Sequence, residues 1–153
     1  MAQPGTIRIE PATPADGEAL LALMERAHLP TDGLAAHLDA AFVARDGERV
    51  VGSAAIEIYP DGGLLRSVAV DADSRGGGLG ARLTGVAIEE ARRRALPALY
   101  LLTTTAERFF PRFGFERITR AEVPPSVQTS IEFRGACPAT AIVMRRRLTP
   151  PEV

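Results

Sequence analysis

Residues 74–80, Ser-Arg-Gly-Gly-Gly-Leu-Gly, place one guanidinium beside four glycines. Glycines let a backbone approach a ligand closely and adopt conformations that a Cβ disfavours. An apolar run at 64–70 precedes this segment and a helical pattern at 79–94 follows it, so the segment joins a strand to the start of a helix. The first N–H groups of a helix lack partners and carry the positive end of its dipole. The spacing therefore predicts that this glycine turn and Arg75 bind the diphosphate of a coenzyme.

The elements that position this turn follow from hydrophobic periodicity and from turn residues. Strand patterns occupy 6–10, 42–45, 50–59, 64–70, 98–103, 115–120 and 141–145. Helical patterns occupy 14–29, 31–38, 79–94, 106–113 and 124–131. Asp46-Gly47 is typical of a tight hairpin, whereas the long helix at 79–94 predicts a right-handed parallel crossover between the strands on either side of it. The order predicts a mixed α/β sheet of six to seven strands with helices on its faces.

Composition limits the classes of function. The 153 residues fit one domain, 1–153, and 46% are hydrophobic, enough for a packed core. All 18 basic residues are arginine, which excludes lysine chemistry, and a net charge of −1 argues against nucleic-acid or membrane partners. A single cysteine, Cys137, with no signal peptide and no apolar run of membrane-spanning length, favours the cytoplasm.

Arg75-x-x-Gly78-x-Gly80, between a strand and a helix, resembles the acetyl-CoA signature of the GNAT superfamily of N-acetyltransferases. The element order matches that fold, and residues 106–115 resemble a second segment of the family. Within the superfamily, residues 64–70, 101–106 and 137–141 look most similar to two groups. These are the arsenic-resistance-associated (arsinothricin-type) acetyltransferases and the acetyltransferase domain of N-acetylglutamate synthase. The resemblance implies a splayed parallel strand pair, acetyl-CoA as co-substrate and no metal.

The resemblance also implies where the coenzyme lies. The strand before the glycine turn splays from its parallel neighbour, and its free backbone groups bind the pantetheine arm as an added strand would. A backbone N–H in that gap can stabilise the oxyanion that develops on the thioester. The predicted coenzyme-binding residues are Val68, Ala69, Val70, Arg75, Gly76, Gly77, Gly78, Gly80, Ala81, Thr103, Phe109 and Phe110.

Three polar residues on neighbouring strands are the predicted acceptor-facing groups: Glu57, Arg66 and Ser67. An amine acceptor is largely ammonium at neutral pH and must lose a proton before attack, so a carboxylate such as Glu57 is the expected base or amine-binding group. The alternative for Glu57 is an ion pair with an arginine. Arg66 interrupts an apolar strand, where a charge needs a partner. It either clamps a substrate oxyanion bidentately or pairs with Glu57.

Two further observations bear on the assignment. Gly76-x-Gly78-x-x-Ala81 also fits a dinucleotide fingerprint, but residues 96–100 lack the carboxylate which that fingerprint requires, so we reject it. Many GNAT enzymes have a tyrosine that protonates the leaving thiolate where this chain has Phe110. A thiol with a pKa of about 8.5 also leaves as thiolate, and Ser67, Tyr59, Tyr100 or water can replace the tyrosine.

The sequence therefore predicts an acetyl-CoA-dependent N-acetyltransferase that works by direct attack within a ternary complex. The expected acceptor is a small amino-acid-like amine, and the specific expectation is an arsenic-containing glutamate analogue. Two alternatives stay open: a protein or peptide N-acetyltransferase, and an acyl-CoA-sensing module without turnover, which Phe110 would allow. A homodimer through Arg145–Arg147 is also open.

Overall fold

A computed structural model describes residues 7–148 of the chain. Seven strands form one sheet: β1 (Ile7–Pro11), β2 (Ala41–Asp46), β3 (Arg49–Tyr59), β4 (Gly62–Val70), β5 (Ala98–Thr103), β6 (Glu116–Ile118) and β7 (Ile142–Arg147). Three α-helices accompany it: α1 (Gly17–Arg26), α2 (Leu79–Arg93) and α3 (Pro125–Gln128). The predicted start of the first strand at Thr6 and the proline pair at 150–151 lie outside the described residues.

The strands lie in the order β1-β2-β3-β4-β5-β7-β6, and every neighbouring pair is antiparallel except β4 and β5. The α2 crossover joins that parallel pair, as the sequence pattern predicted. The Asp46-Gly47 hairpin is also present, with Gly47 at a φ of +63°. The predicted GNAT fold, a mixed and mostly antiparallel sheet with one splayed parallel pair, is confirmed.

Apolar side chains cover both faces of the sheet. Along α2, Leu79, Leu83, Ala87 and Ala91 recur every four residues and are buried against one face. On the other face two separate clusters form. Leu20, Leu23 and Met24 of α1 pack over β2 and β3 in the first, and Val127 of α3 packs with Leu64 and Tyr100 in the second. The seam between these two clusters is where charged residues enter the interior.

The splay between β4 and β5 opens the interior to coenzyme. Their parallel register holds only where Gly63 faces Leu99 and Leu64 faces Tyr100. Beyond that point the backbone of β4 pairs with β3 alone, through Ser53–Ala69 and Gly52–Val70. The edge of β4 from Leu65 to Val70 therefore faces a cleft instead of a neighbouring strand.

Two predicted helices are shorter and tighter than their patterns indicated. The helix expected at 31–38 is a 3₁₀ helix, Leu34–Ala40, and the one at 106–113 is reduced to a 3₁₀ turn, Phe110–Phe113, that ends at Gly114 with a φ of +86°. In the sequence, Thr104 with Glu107 three residues later fits a capping box for the helix at 106–113. In the structure the Thr103 hydroxyl instead accepts the Ala106 N–H at 2.9 Å, because the chain turns directly at the end of β5.

The connection between β6 and β7 also differs from its prediction. The helix expected to reach Ile131 stops at Gln128, and a short π-helix follows at Glu132–Ala136. Gly135, with a φ of +128°, interrupts regular helical geometry there. This connection folds back over the sheet beside Arg66 and brings Glu132 into the interior.

Candidate active site in the cleft between β4 and β5

One cleft of about 1080 Å³ runs between the diverging strands, from the glycine turn to the buried end of the β6–β7 connection. Of the residues predicted to bind coenzyme or acceptor, those on its walls are Arg66, Ser67, Val68, Ala69, Val70, Arg75, Gly76, Gly78, Gly80, Ala81, Thr103, Phe109 and Phe110. Glu57 and Gly77 are not on its walls. Residues that the sequence did not single out for the acceptor side include Leu29, Pro30, Glu132 and Pro138.

Backbone groups form the end of the cleft at the glycine turn, which we call the donor end. Gly76 and Gly78 adopt φ values of +91° and +79°, a region that disfavours any residue with a Cβ. No atom lies within 4 Å of a Cβ built on either glycine, so the turn is open on its outer side. Gly78 is the N-cap of α2 and offers no side chain to cap the helix, which leaves the first N–H groups available to an anion. Arg75 Nε donates to the Val70 carbonyl at 3.0 Å and sets its guanidinium beside the turn.

Aromatic side chains after β5 form the wall opposite β4. The rings of Phe109 and Phe110 meet edge to face with centroids 5.1 Å apart, and Phe110 packs on Phe115 at 5.8 Å. Phe109 also lies against α2, 3.6 Å from where a Cβ on Gly80 would stand. This wall is apolar and rigid, which suits the pantetheine arm of a coenzyme more than a charged ligand.

Buried charged side chains form the opposite end of the cleft, beside the β6–β7 connection, which we call the acceptor end. Arg66 is 3% exposed, and its Nη1 donates to Glu57 Oε2 at 2.7 Å. Its Nε lies 3.2 Å from Glu132 Oε2 and 3.2 Å from the Ser67 hydroxyl, and its Nη2 donates to the Pro30 carbonyl at 3.1 Å. A single guanidinium is thus shared by two carboxylates, with 0% of Glu57 and 4% of Glu132 exposed.

The two carboxylates differ in their surroundings. Burial raises the pKa of Glu57, but hydrogen bonds led by those from Tyr59 and Ser130 outweigh it and hold that pKa below its ordinary value. Burial also raises the pKa of Glu132, and there Arg66 does not compensate, so the pKa stays above the ordinary range. Burial and the Glu132 carboxylate raise the pKa of Cys137 to about 12, which keeps that thiol protonated at neutral pH.

Ser67 lies on a bulge that aims β4 into the cleft. The β3–β4 register passes from Ser53–Ala69 to Ala55–Arg66, so β4 carries an extra residue at this point. Ser67 has a φ of +60°, an unusual value for a residue with a Cβ, and the Ser53 hydroxyl donates to its carbonyl at 2.6 Å. Ser67 and Val68, on either side of the peptide bond that carries this carbonyl, both line the cleft.

Sequence reasoning singled out Glu57, Arg66 and Ser67 but missed Glu132. The structure brings Arg66 and Ser67 together on the cleft wall and places Glu57 behind Arg66. Glu132 belongs to a polar connection with no motif, and its position depends on how the chain folds between β6 and β7. No signal in the sequence separates it from the exposed glutamates. Arg145 and Arg146, considered for a dimer contact, bind Glu116 and the Phe113 carbonyl within the chain.

Residues 7–148 carry neither a metal-ligand cluster nor a membrane-spanning helix. No group of three or more His, Cys, Asp or Glu side chains there could hold a metal ion. In the same range no helix combines the length and the apolar character that crossing a bilayer would require.

A mixed sheet with one splayed parallel pair, and a glycine turn at the mouth of the splay, is typical of the GNAT fold. The acetyltransferase (GNAT) domain matches residues 37–117, which is more than half of the chain. The chain belongs to this family. A search of curated protein sequences finds no match.

Similar solved structures have the same fold at low sequence identity. N-acetylglutamate synthase from Neisseria gonorrhoeae, solved with coenzyme A and N-acetyl-glutamate, is 23% identical with a TM-score of 0.80 over 94% of this chain and 35% of its own. Rv2747 from Mycobacterium tuberculosis, in complex with CoA, is 22% identical with a TM-score of 0.76, over 93% of this chain and 99% of its own. The ribosomal-protein-S18-alanine N-acetyltransferase from Escherichia coli is 20% identical with a TM-score of 0.72, over 95% of this chain and 96% of its own. The present chain spans about a third of the length of the synthase chains.

Proposed function

We propose that the protein transfers the acetyl group of acetyl-CoA to the amine of a small amino-acid-like acceptor. The observation that carries this proposal is the continuity of one cleft. It joins an open glycine turn suited to a diphosphate with a buried, charged end suited to a polar acceptor. A coenzyme entering at the turn would present its thioester to the acceptor end between β4 and β5.

The donor end would bind the coenzyme mostly through backbone groups. In this proposal Arg75 and the N–H groups at 76–80 hold the diphosphate, and the edge of β4 at Val68–Val70 pairs with the pantetheine amides. A backbone N–H near the Ser67 bulge would then polarise the thioester carbonyl, where negative charge develops during attack. Thr103, Phe109 and Phe110 would line the arm from the opposite side.

Transfer would proceed by direct attack. The neutral amine attacks the thioester carbon, a C–N bond forms, the C–S bond breaks, and CoA leaves as thiolate. Phe110 lines the cleft where family members carry a tyrosine, so proton return to the thiolate falls to water or to Ser67. A thiol with a pKa of about 8.5 is a tolerable leaving group without a dedicated acid.

For Glu57 we propose a different role from the catalytic one that its sequence position predicts. Glu57 is buried behind Arg66 and does not line the cleft, which favours the ion-pair alternative over contact with the acceptor. We propose that it fixes the position of Arg66. Arg66 lines the cleft, and we retain it with Ser67 as the pair that orients the polar end of the acceptor.

The acceptor class is supported by the polar lining of the cleft end beside Pro30 and Pro138, which includes Arg66, Ser67 and Glu132. It is also supported by the likeness to a synthase solved with N-acetyl-glutamate. The finer proposal, an arsenic-containing glutamate analogue, is supported by the resemblance of residues 64–70, 101–106 and 137–141. We place the reaction in the cytoplasm, because a lone cysteine and an acyl-CoA substrate suit a reducing compartment.

The test is thiol release from acetyl-CoA with a panel of acceptors. The panel contains free amino acids, the arsenic-containing glutamate analogue, and peptides with an N-terminal alanine, which represent the acceptor class of the Escherichia coli relative. We expect release well above acceptor-free hydrolysis with free amino acids or the analogue. Release with peptides alone would show a protein acetyltransferase, and tight CoA binding without release on any acceptor would show a sensor.

A further inference from the structure

Glu132 is the buried carboxylate on the cleft wall within residues 7–148, although its sequence context gives no reason to expect it. Its side chain is 5% exposed, and the residue lines the cleft together with Arg66 and Ser67. Its backbone is held on both sides. The Glu132 N–H donates to the Ser130 hydroxyl at 3.1 Å, and its carbonyl accepts the Cys137 N–H at 3.2 Å. The carboxyl group is therefore a fixed part of the wall.

The partners of Glu132 leave its carboxylate less satisfied than that of Glu57. Glu57 receives the 2.7 Å bond from Arg66 and a further bond from the Tyr59 hydroxyl. Glu132 has the longer 3.2 Å contact to Arg66, and its Oε1 faces only a weak donor, the Cys137 thiol at 3.6 Å. A carboxylate held on one side and weakly capped on the other keeps capacity for another donor.

The charges around Glu132 favour a cation. Arg66 on β4 carries the positive charge in contact with it, whereas Glu57 on β3 supplies a second negative charge. The other titratable groups facing this pair are Tyr59 on β3, Cys137 on the same connection, Arg120 near that thiol, and His37, whose Nε2 is 3.9 Å from Glu57 Oε1. Arg66 is the one arginine within salt-bridge distance of the two carboxylates among the described residues, so with both ionised the arginine contacts compensate only one of the two negative charges.

We propose that Glu132 binds the acceptor as its ammonium ion and takes a proton from it to start the reaction. This inference rests on the proposed acetyltransferase function. The ammonium gives one proton to the Glu132 carboxylate, and the resulting amine attacks the thioester. The second proton leaves the attacking nitrogen for the CoA thiolate through water, and the amide keeps the third. Glu132 then releases its proton to solvent, so no other reactant is needed.

The environment of Glu132 suits this role. Burial raises the pKa of its carboxyl, which brings a weak base closer to the ammonium it must deprotonate. Glu57 lacks this property because its pKa is held low, and it also lacks access to the cleft. The two glutamates therefore have different roles in this proposal: Glu57 positions Arg66, and Glu132 contacts the acceptor.

The experiment compares Glu132→Gln with Glu57→Gln and with Glu122→Gln as the matched control. Glu122 lies on the same connection, is exposed, and does not line the cleft. We expect Glu132→Gln to lower kcat/KM for the acceptor by about 10²-fold or more at pH 7, with the affinity for CoA unchanged. The deficit should shrink as the pH approaches the pKa of the acceptor amine, because the amine then deprotonates without help.

Each outcome decides the inference. A Glu132→Gln enzyme within twofold of wild type, or one with a deficit that does not change with pH, overturns it. If the pH-dependent limb of the kcat/KM profile is lost in Glu57→Gln but kept in Glu132→Gln, the base is Glu57 instead. If the wild-type protein binds CoA but releases no thiol with any amine, the proposed function fails and this inference falls with it. In every variant, thermal unfolding and CoA binding verify that the fold is intact.

Discussion

The two ends of the cleft solve the problem of binding polar groups in opposite ways. At the donor end, backbone N–H groups of an open turn face solvent, and glycines supply the geometry. At the acceptor end, three buried side chains, Glu57, Arg66 and Glu132, supply the charge. The comparison teaches that the donor end can lose binding with only a small loss of stability, whereas the acceptor end links function to folding. Three predictions test this contrast.

The largest effect is expected from removal of the shared guanidinium. Arg66→Met leaves Glu57 and Glu132 buried without their cation, which we expect to reduce the free energy of unfolding by about 3–5 kcal/mol at pH 7.5. The loss should be smaller at pH 5, where a carboxylate can become protonated. Chemical denaturation at both pH values measures it.

The control for this prediction neutralises the whole cluster. Arg66→Met combined with Glu57→Gln and Glu132→Gln leaves no uncompensated charge, so it should recover most of the lost stability. A single Arg66→Met variant as stable as wild type would mean that the acceptor end is not an ionic core, and the contrast between the two ends would disappear.

An intermediate effect is expected at the glycine turn. Gly78→Glu puts a Cβ at a φ of +79° and a negative charge where the diphosphate would lie, so we expect CoA affinity to fall about 100-fold or more. The left-handed φ should cost about 1–2 kcal/mol of stability, less than the loss expected for Arg66→Met. The fold should stay intact, because no atom lies within 4 Å of a Cβ at this position. Calorimetric titration with CoA and thermal unfolding measure the two quantities.

Gly77→Ala is the matched control for that substitution. Gly77 does not have a positive φ, is not on the cleft wall, and has open space around it. We expect CoA affinity within about threefold of wild type, a difference below 1 kcal/mol. Equal losses in Gly77→Ala and Gly78→Glu would show that any change in this turn disturbs folding, against the view that the turn serves the coenzyme alone.

The smallest expected effect is a difference in how the contributions of Glu57 and Glu132 to the free energy of unfolding depend on pH. The folded-state pKa of Glu57 is lowered, so its stabilising contribution is present above the ordinary value of 4.5 and is lost as the pH falls through the lowered pKa. The folded-state pKa of Glu132 is raised, so its ionised form opposes folding at neutral pH, and that opposition is absent below 4.5. The two carboxylates therefore have opposite signs of linkage.

Melting temperatures between pH 4 and pH 8 measure this difference. Glu57→Gln should lower the melting temperature at pH 7.5, and Glu132→Gln should leave it unchanged or raise it, by about 2–4 °C for each kcal/mol. For both variants, the difference in melting temperature from wild type should become smaller as the pH falls toward 4. Equal destabilisation by both substitutions at pH 7.5 would contradict the asymmetry between the two carboxylates.

The sequence by itself determined the donor half of the molecule. Strand period, the Asp46-Gly47 turn and the glycine turn before α2 are local signals, because they depend on backbone preferences of residues adjacent in the chain. They predicted the sheet, its crossover and the glycine-turn end of the cleft wall. The segment that leads into the 3₁₀ turn at Phe110–Phe113 escaped prediction because Thr103, at the end of β5, accepts the Ala106 N–H there in place of a Thr104 cap.

Only the tertiary structure decided the acceptor half. Glu132 is more than sixty residues from Arg66 along the chain, and it reaches Arg66 because the β6–β7 connection folds over the seam between the α1 and α3 clusters. Glu57, promising in the sequence, lies on the strand next to Arg66 and is bound by Arg66 and Tyr59 away from the cleft wall. A charge acquires its role from what surrounds it after folding, and distant parts of the chain supply those surroundings.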